Sequence, residues 1–278
     1  MLLERFHAPK AIKMLANFVH LRIHTAYSLA ESTLRIQSLV GLIAADNQPA
    51  AAITDTNNMF GALEFAQTLA AAGIQPIMGT QLNLCDAEGA GEVVLLAQTE
   101  TGYRNLSILL SNTLLSAEPG DSAHCALDDI GDLGRDIIVL GGGALAGFVG
   151  RPAADRRDRL AAKRAEELAA VFPGRFYIEL QRHGMKPELI AEPHLLEIAD
   201  RLDLPLVATN DCRFESAAMS QPHDTLVCIG TGRKLAETDR PRFSDEHYFK
   251  TADAMAELFA DIPEAIANTL VIAKRCSV

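Results

Sequence analysis

The strongest constraint on this chain is a repeated alternation. Short apolar runs, each ending in polar or acidic residues, are separated by longer Ala/Leu-rich stretches with helical spacing. Apolar runs of four to seven residues read as strands, and the spacing of Ile36, Leu39, Val40 and Ile43 reads as an amphipathic helix. Strands are expected at Phe18–His24, Ala50–Thr54, Gln75–Leu84, Val93–Ala97, Asp136–Leu140, Arg175–Leu180 and Leu206–Thr209. Helices are expected at Arg35–Asp46, Ala62–Ala72, Gly102–Leu115, Ala154–Val171 and Glu188–Leu202. Alternation of this kind argues for an α/β fold with a parallel sheet, with helices covering it. The polar residues gather just after the strands, where barrel enzymes place their sites, so a distorted βα-barrel fits better than an open sheet.

Composition supports a single large unit. The chain has 278 residues, 49% of them hydrophobic, with only 5% aromatic and no Trp, so the core must be mostly Ala, Leu, Ile and Val. The formal net charge of −11 argues against a domain that grips nucleic acid unaided, because such domains carry a basic face. Five cysteines (Cys85, Cys125, Cys212, Cys228, Cys276) are scattered without a CxxC pair, which points to free thiols in a reducing, cytoplasmic setting. No apolar run is long enough for a membrane span. Residues 1–17 read as an N-terminal extension, and about 222–278 as an appended C-terminal segment.

Four stretches carry candidate chemistry. In His20-Leu21-Arg22-Ile23-His24, alternation along a strand places His20, Arg22 and His24 on one face, where imidazoles could chelate a metal. Taken alone, such histidines are more often ordinary polar residues. Asp55, after Ala52-Ile53-Thr54, sits at a strand end; capping of the next helix is its default role. Glu179, Gln181 and His183 alternate onto one face, and Asn210-Asp211 followed by Arg213 closes another strand. His20, His24, Asp55, His183 and Asp211 are therefore expected to converge at one barrel mouth. The basic cluster Arg151, Arg156, Arg157, Arg159, Lys163 and Arg164 reads as a solvated face paired with Asp155, Asp158 and Glu166 rather than a DNA contact.

The order HLRIHTAYS, AITDTNNMFGALEF, GIQPIMG, TGYRNL, FYIELQRHG, VATNDCRF, FKTADAM and ELFADIPEAIANTLVIAKRCSV resembles the PHP domain (polymerase and histidinol phosphatase type) of bacterial replicative DNA polymerase III alpha subunits. The resemblance runs from about Phe18 to Val278. It implies a distorted seven-stranded, TIM-barrel-like βα-barrel, and a site that in active members holds a cluster of metal ions on His, Asp, Glu and Cys. Position by position, the paired histidines of the first motif fall at Arg22 and His24, the following acid at Glu31, and the His after Thr-Asp at Thr56. The Glu after the third strand falls at Gln81, a His on the next strand at Glu92, a Cys or His at Gly143, and the final Asp-x-His at Asp211 and Arg213. Only His24 and Asp211 are kept outright, with Glu31 and Glu92 still able to ligate.

The resemblance therefore implies a degenerate metal site with no catalytic residue in this domain. Arg22 and Arg213 would neutralise Asp211, Glu31 or Glu92 where metals once did. The implied role is a structural and docking module of a DNA-directed DNA polymerase. Its partners would be the rest of the alpha subunit and a proofreading exonuclease (epsilon) subunit, and it would meet DNA only through the full assembly. Magnesium would serve the full-length polymerase, not this domain. The rival reading is a residual metal-dependent 3′–5′ exonuclease or phosphoesterase with one weakly held Zn, Mn or Mg at His24, Glu31 and Asp211.

Overall fold

The computed structural model describes residues 16–117 and 123–278, so the N-terminal extension lies outside the described residues except for Ala16 and Asn17. Seven strands form one curled sheet: β1 (Ala50–Ile53), β2 (Gln75–Asp86), β3 (Gly89–Ala97), β4 (Cys125–Ala126), β5 (Ile137–Leu140), β6 (Phe176–Leu180) and β7 (Leu206–Ala208). The spatial order is β1-β2-β3-β5-β6-β7, with β4 against β2. Around it lie α1 (Ile36–Ala45), α2 (Ala62–Ala71), α3 (Glu100–Ser116), α4 (Gly150–Ala154), α5 (Asp158–Val171), α6 (Lys186–Leu202), α7 (Ser220–Thr231), α8 (Ala252–Leu258) and α9 (Pro263–Arg275).

The expectation of a parallel sheet needs correction. β3 runs antiparallel to both β2 and β5, while β1/β2, β5/β6 and β6/β7 are parallel. The reason is local. Only Ala87 and Glu88 separate β2 from β3, and so short a link allows a hairpin but no crossover helix. The helix expected over Ala154–Val171 begins four residues later, as α5 at Asp158, after the separate short α4. α4 ends where Arg156 turns left-handed (φ 57°) and the Arg157 amide donates back to Pro152 O at 2.8 Å, a Schellman-type stop.

The segment 18–24 closes the gap between β1 and β7. Ala52 N donates to His20 O and Thr54 N to Ile23 O, both at 2.9 Å. On the other side His24 N donates to Cys212 O (2.9 Å) and Cys212 N to Arg22 O (3.1 Å). The two acceptors His20 and Ile23 are three residues apart, whereas their donors are two apart. The segment therefore carries one extra residue, as a bulge does. Its consequence is visible in the packing. Val19 and Leu21 join the barrel interior, with Ile77, Val94, Leu96, Ile138, Leu140, Tyr177 and Val207. Phe18 and Ile23 join the outer core beneath the helices. After Leu21 the extra residue is Arg22, which also faces inward, and His24 follows it.

The far end of the barrel is sealed by α9. Ile272, Ala273 and Cys276 pack into the interior cluster. Thr269 Oγ1 accepts from Val19 N (3.1 Å), Gln75 Nε2 donates to Ala273 O (2.9 Å), and Ser277 N donates to Gln98 O (2.7 Å). The last helix is thus a plug in the barrel floor, and the opposite end is left as the mouth.

Candidate functional site

The mouth is organised by Arg22. This side chain is 2% exposed. Its Nη1 donates to Glu179 Oε2 at 3.1 Å, and its Nη2 to Gln81 Oε1 at 2.6 Å and Glu92 Oε2 at 2.8 Å. Its Nε stands 3.2 Å from Asp211 Oδ1. One guanidinium therefore ties the ends of β2, β3 and β6 to the loop after β7. Burial alone would weaken its charge, but Glu179, Asp211 and Glu92 hold it firmly protonated.

Arg213 is the second cation. Its Nε donates to Asp211 Oδ2 at 3.2 Å, its Nη1 lies 3.5 Å from Glu31 Oε2, and Phe243 covers its guanidinium at 4.3 Å from the ring centroid. Asp211 thus sits between two arginines and His24, whose Nε2 is 3.0 Å from Asp211 Oδ1. Burial would raise the Asp211 carboxyl, but Arg213, Arg22 and His24 hold it well below the usual carboxylate range. Asp211 also adopts φ 43°, a left-handed conformation that Asp tolerates better than most residues. Both arginines reach the carboxylates toward which the sequence placed them, Arg22 meeting Glu92 and Asp211 and Arg213 meeting Glu31 and Asp211.

The sequence-predicted cluster is brought together only in part. His24 reaches Asp211 directly. Its Nδ1 lies 3.2 Å from Ser28 Oγ, which in turn donates to Asp55 Oδ1 at 2.6 Å. Asp55 is fully buried and also accepts from Thr25 N and Thr25 Oγ1, at 2.6 and 2.8 Å. It pins the loop that carries His24 rather than capping a helix. Glu31 accepts from Thr56 Oγ1 at 2.6 Å at the rim.

His183 lies behind the mouth. Its Nδ1 is 2.5 Å from Glu188 Oε1 and its Nε2 donates to Asn210 O at 2.8 Å, while its ring stacks on His247 at 3.7 Å. Asn210 O is a carbonyl, so Nε2 is the donor of that pair. His20 does not join the mouth at all, and the reading of His20, Arg22 and His24 on one face is corrected here. The bulge flips Arg22 and His24 inward and leaves His20 among Phe18, Phe249 and Lys250.

His20 Nδ1 is 3.4 Å from Cys212 Sγ, a thiol–imidazole pair that geometry alone could suggest as a nucleophile. Both groups are fully buried. Burial drives the imidazole down to about 4, and the thiol up to about 12. Both are neutral at physiological pH, and the pair is a packing contact.

Glu179, which the alternation puts on one face with Gln181 and His183, was not expected in the converging cluster, and His247 and Lys250 escaped the sequence reading. Glu179 had a usable signal: it is the one charged residue in the strand Phe176-Tyr177-Ile178-Glu179-Leu180, and a buried carboxylate must be paired. Thr209 Oγ1 and Gln181 Nε2 also donate to it. His247 and Lys250 had none, since they come from an irregular strap of about residues 240–250. That strap is held by Asn210 Nδ2 donating to Glu246 O (3.1 Å) and Tyr248 O (2.7 Å) and by Lys250 Nζ donating to Asn210 Oδ1 (3.1 Å).

The mouth opens to a cleft of about 430 Å³, lined by Arg22, Glu92, Gly143, Asp211, Arg213 and Phe243, among others. A larger hollow, about 540 Å³, lies on the outer wall between β2 and α5, far from these groups. Among the described residues no group of three or more His, Cys, Asp or Glu side chains is arranged to hold a metal ion. Of the basic cluster, Arg164 turns inward to Asp86 at 2.7 Å. Arg151, Arg157 and Lys163 lie at the surface beside Asp155, Glu88 and Glu167.

The comparisons with known proteins agree with this architecture. The chain is 39% identical over 270 residues to the DNA polymerase III subunit alpha of Pseudomonas fluorescens, a match that covers 95% of the chain and 23% of that relative. It is 37% identical over 265 residues to the DNA polymerase III subunit alpha of Escherichia coli K12, again 23% of its length. The chain therefore spans about a quarter of the curated relatives it matches. Among solved structures, an amidohydrolase from Chromobacterium violaceum with bound sulfate and no metal aligns at a TM-score of 0.51, with 14% identity over 70% of this chain and 87% of that one, a likeness of fold. Residues 20–183 match the PHP domain family, and the chain belongs to that family.

Proposed function

We propose that this chain is the N-terminal PHP module of a replicative DNA polymerase alpha subunit, acting in DNA replication as a structural and docking element rather than as a hydrolase. One observation carries the reading. At the position where the resemblance expects a metal-binding histidine, Arg22 places a permanent positive charge among Glu92, Glu179 and Asp211. A hydrolytic metal cluster needs carboxylates and imidazoles free to ligate and a water free to ionise between the ions. Here Asp211 is already shared by two guanidinium groups and His24, and a divalent ion placed among them would meet two fixed cations. The side chains present do not fit a metal cluster, and no hydrolytic step is derived from them.

The same network supports a mechanical role. Ion pairs to Glu92 of β3, Glu179 of β6 and Asp211, with a hydrogen bond to Gln81 of β2, tie the mouth together without metal. An acidic domain held together in this way suits a platform for the remainder of the polymerase and for a separate proofreading exonuclease subunit. DNA would be held by other parts of that assembly. The test is direct. The purified chain is dialysed against Zn, Mn or Mg and its bound metal measured, and 3′-exonuclease and phosphatase assays are run on the same samples. We expect no stoichiometric metal and no hydrolysis above background. Robust metal-dependent 3′ hydrolysis abolished by His24→Ala would overturn the reading in favour of the residual exonuclease. The docking half is tested separately by co-elution of the chain with the exonuclease subunit on gel filtration.

A further inference from the structure

The plug in the barrel floor has an outer side as well as an inner one. α9 sends Ile272, Ala273 and Cys276 into the barrel, and another side of it carries Pro263, Ala267, Leu270, Val271 and Lys274. These stand at i, i+4, i+7, i+8 and i+11, so they form one stripe along the helix. With Ala256 of α8 and with Asn17 the stripe makes an open groove of about 340 Å³. Its walls are aliphatic apart from Asn17 and Lys274, and Val271 is 44% exposed. An apolar groove left open to water is a place for an occupant.

The chain itself supplies one. Asn17 lines the groove, and the chain reaches it from Ala16, whose amide donates to Asn47 O at 3.0 Å. The neighbouring Asp46 accepts from Ala252 N at the start of α8 (2.8 Å), so residues 1–15 join the described chain beside the groove. Their sequence fits it. Ala8, Ala11, Ile12 and Leu15 stand at i, i+3, i+4 and i+7, a single helical face, with Lys10 and Lys13 on the other side. Pro9 suits the first turn of such a helix. From Pro9 to Ala16 the helix would be about 12 Å long, and the α9 stripe runs about 17 Å. A helix of this length does not persist alone in water, so such a run folds only where its apolar face is buried. Charge agrees with this placement. Residues 1–15 carry Arg5, Lys10 and Lys13 against Glu4. On the groove side, exposed Asp253 stands one turn before Ala256, and exposed Glu264 one turn before Ala267.

We infer that residues 8–15 dock as an amphipathic helix in the groove between α8 and α9 of their own chain, with Ile12 and Leu15 on Ala267, Leu270 and Val271. Tethering selects this occupant. A segment joined to the wall of the groove acts at an effective concentration in the millimolar range, so even a weak contact is filled. The acidic rim and the cations of the segment attract one another at moderate salt. The docked segment lies at the floor of the barrel, and the inference does not rest on the role assigned to the mouth.

The chain has no Trp, so Ile12→Trp in the full 278-residue chain reports on this contact alone. Blue-shifted emission shielded from acrylamide, independent of protein concentration, is expected. Adding Ala267→Glu/Val271→Glu, at two surface positions, should return the emission to that of a solvent-exposed indole. It should also speed tryptic cleavage after Lys10 and Lys13 by at least about tenfold, because cleavage follows the undocked population. Ile12→Glu/Leu15→Glu, without the indole, should speed cleavage as much. Leu189→Glu, on α6 and 72% exposed, should change neither readout. Thermal melts check that each variant folds. Solvent-like emission from Ile12→Trp, or a shielded indole that Ala267→Glu/Val271→Glu leaves unchanged, overturns the inference. So does a blue shift lost on dilution, for the segment then fills the groove of a second copy.

Discussion

Replacing Arg22 by Ala should remove a large part of the stability of this fold. Arg22 is 2% exposed, and its partners Glu179 and Asp211 are 1% and 5% exposed. Its loss would leave Glu179 buried with only Thr209 and Gln181 as donors, and would leave Asp211 to Arg213 and His24. Breaking one partner of a buried ion pair costs roughly 3–5 kcal/mol, against at most about 1 kcal/mol for a surface pair. At about 2–4 °C of melting temperature per kcal/mol for a domain of this size, Arg22→Ala should melt roughly 10 °C lower. Arg22→Lys should fall between the two, because one ammonium cannot span acceptors on three strands. Removing the stranded charge as well should recover stability, so Arg22→Met/Glu179→Met should be more stable than Arg22→Met alone. Calorimetry or circular-dichroism melts at pH 7.5 read all four variants. If Arg22→Ala melts within about 2 °C of the parent, a loss under about 1 kcal/mol, the network does not hold the mouth and the argument from burial is wrong.

Other perturbations give equally definite outcomes. Burial drives the His20 imidazole from 6.5 to about 4, so between those values the unfolded chain binds a proton that the native chain does not, and stability must fall as pH falls. At 1.36 kcal/mol per pH unit the loss is on the order of 3 kcal/mol by pH 4. His20→Leu should flatten this slope in melts from pH 7 to pH 4.5, and an unchanged slope would count against it. Asp211 works in a lower window: held well below the carboxylate range, its contribution persists until the pH drops beneath the ordinary value of 3.8. Gly142→Ala should cost about 2 kcal/mol or more in urea unfolding, because residue 142 has φ 79° and a Cβ there would stand 2.1 Å from Glu92 O. Ile272→Ala, in the buried plug of α9, should cost about 2–5 kcal/mol and speed exchange of the Ser277 amide, which donates to Gln98 O; a change under about 1 kcal/mol would mean that α9 does not seal the barrel.

The sequence by itself determined the architecture. Strand and helix periods differ, and each element's apolar face must be buried, so β1, β5, β6, β7, α1, α2, α3 and α6 fall where the pattern placed them within a few residues. The family was legible because many ordered motifs span nearly the whole chain, and the pairing of Arg22 and Arg213 with Glu92, Glu31 and Asp211 was expected because the resemblance assigns all five to the positions of one metal site, where fixed cations would balance the acids. Three things were decided only in three dimensions. The hairpin between β2 and β3 makes the sheet mixed, a matter of loop length acting on strand direction. The extra residue in 18–24 turns Arg22 inward and His20 outward, and no periodicity shows it, because a bulge is fixed by the hydrogen bonds of the neighbouring strands. Glu179 and His247 meet the mouth only because β6 and the strap fold onto it. Their partners Arg22 and His183 are 157 and 64 residues away in the chain, and contacts between such distant residues are set by how the barrel closes.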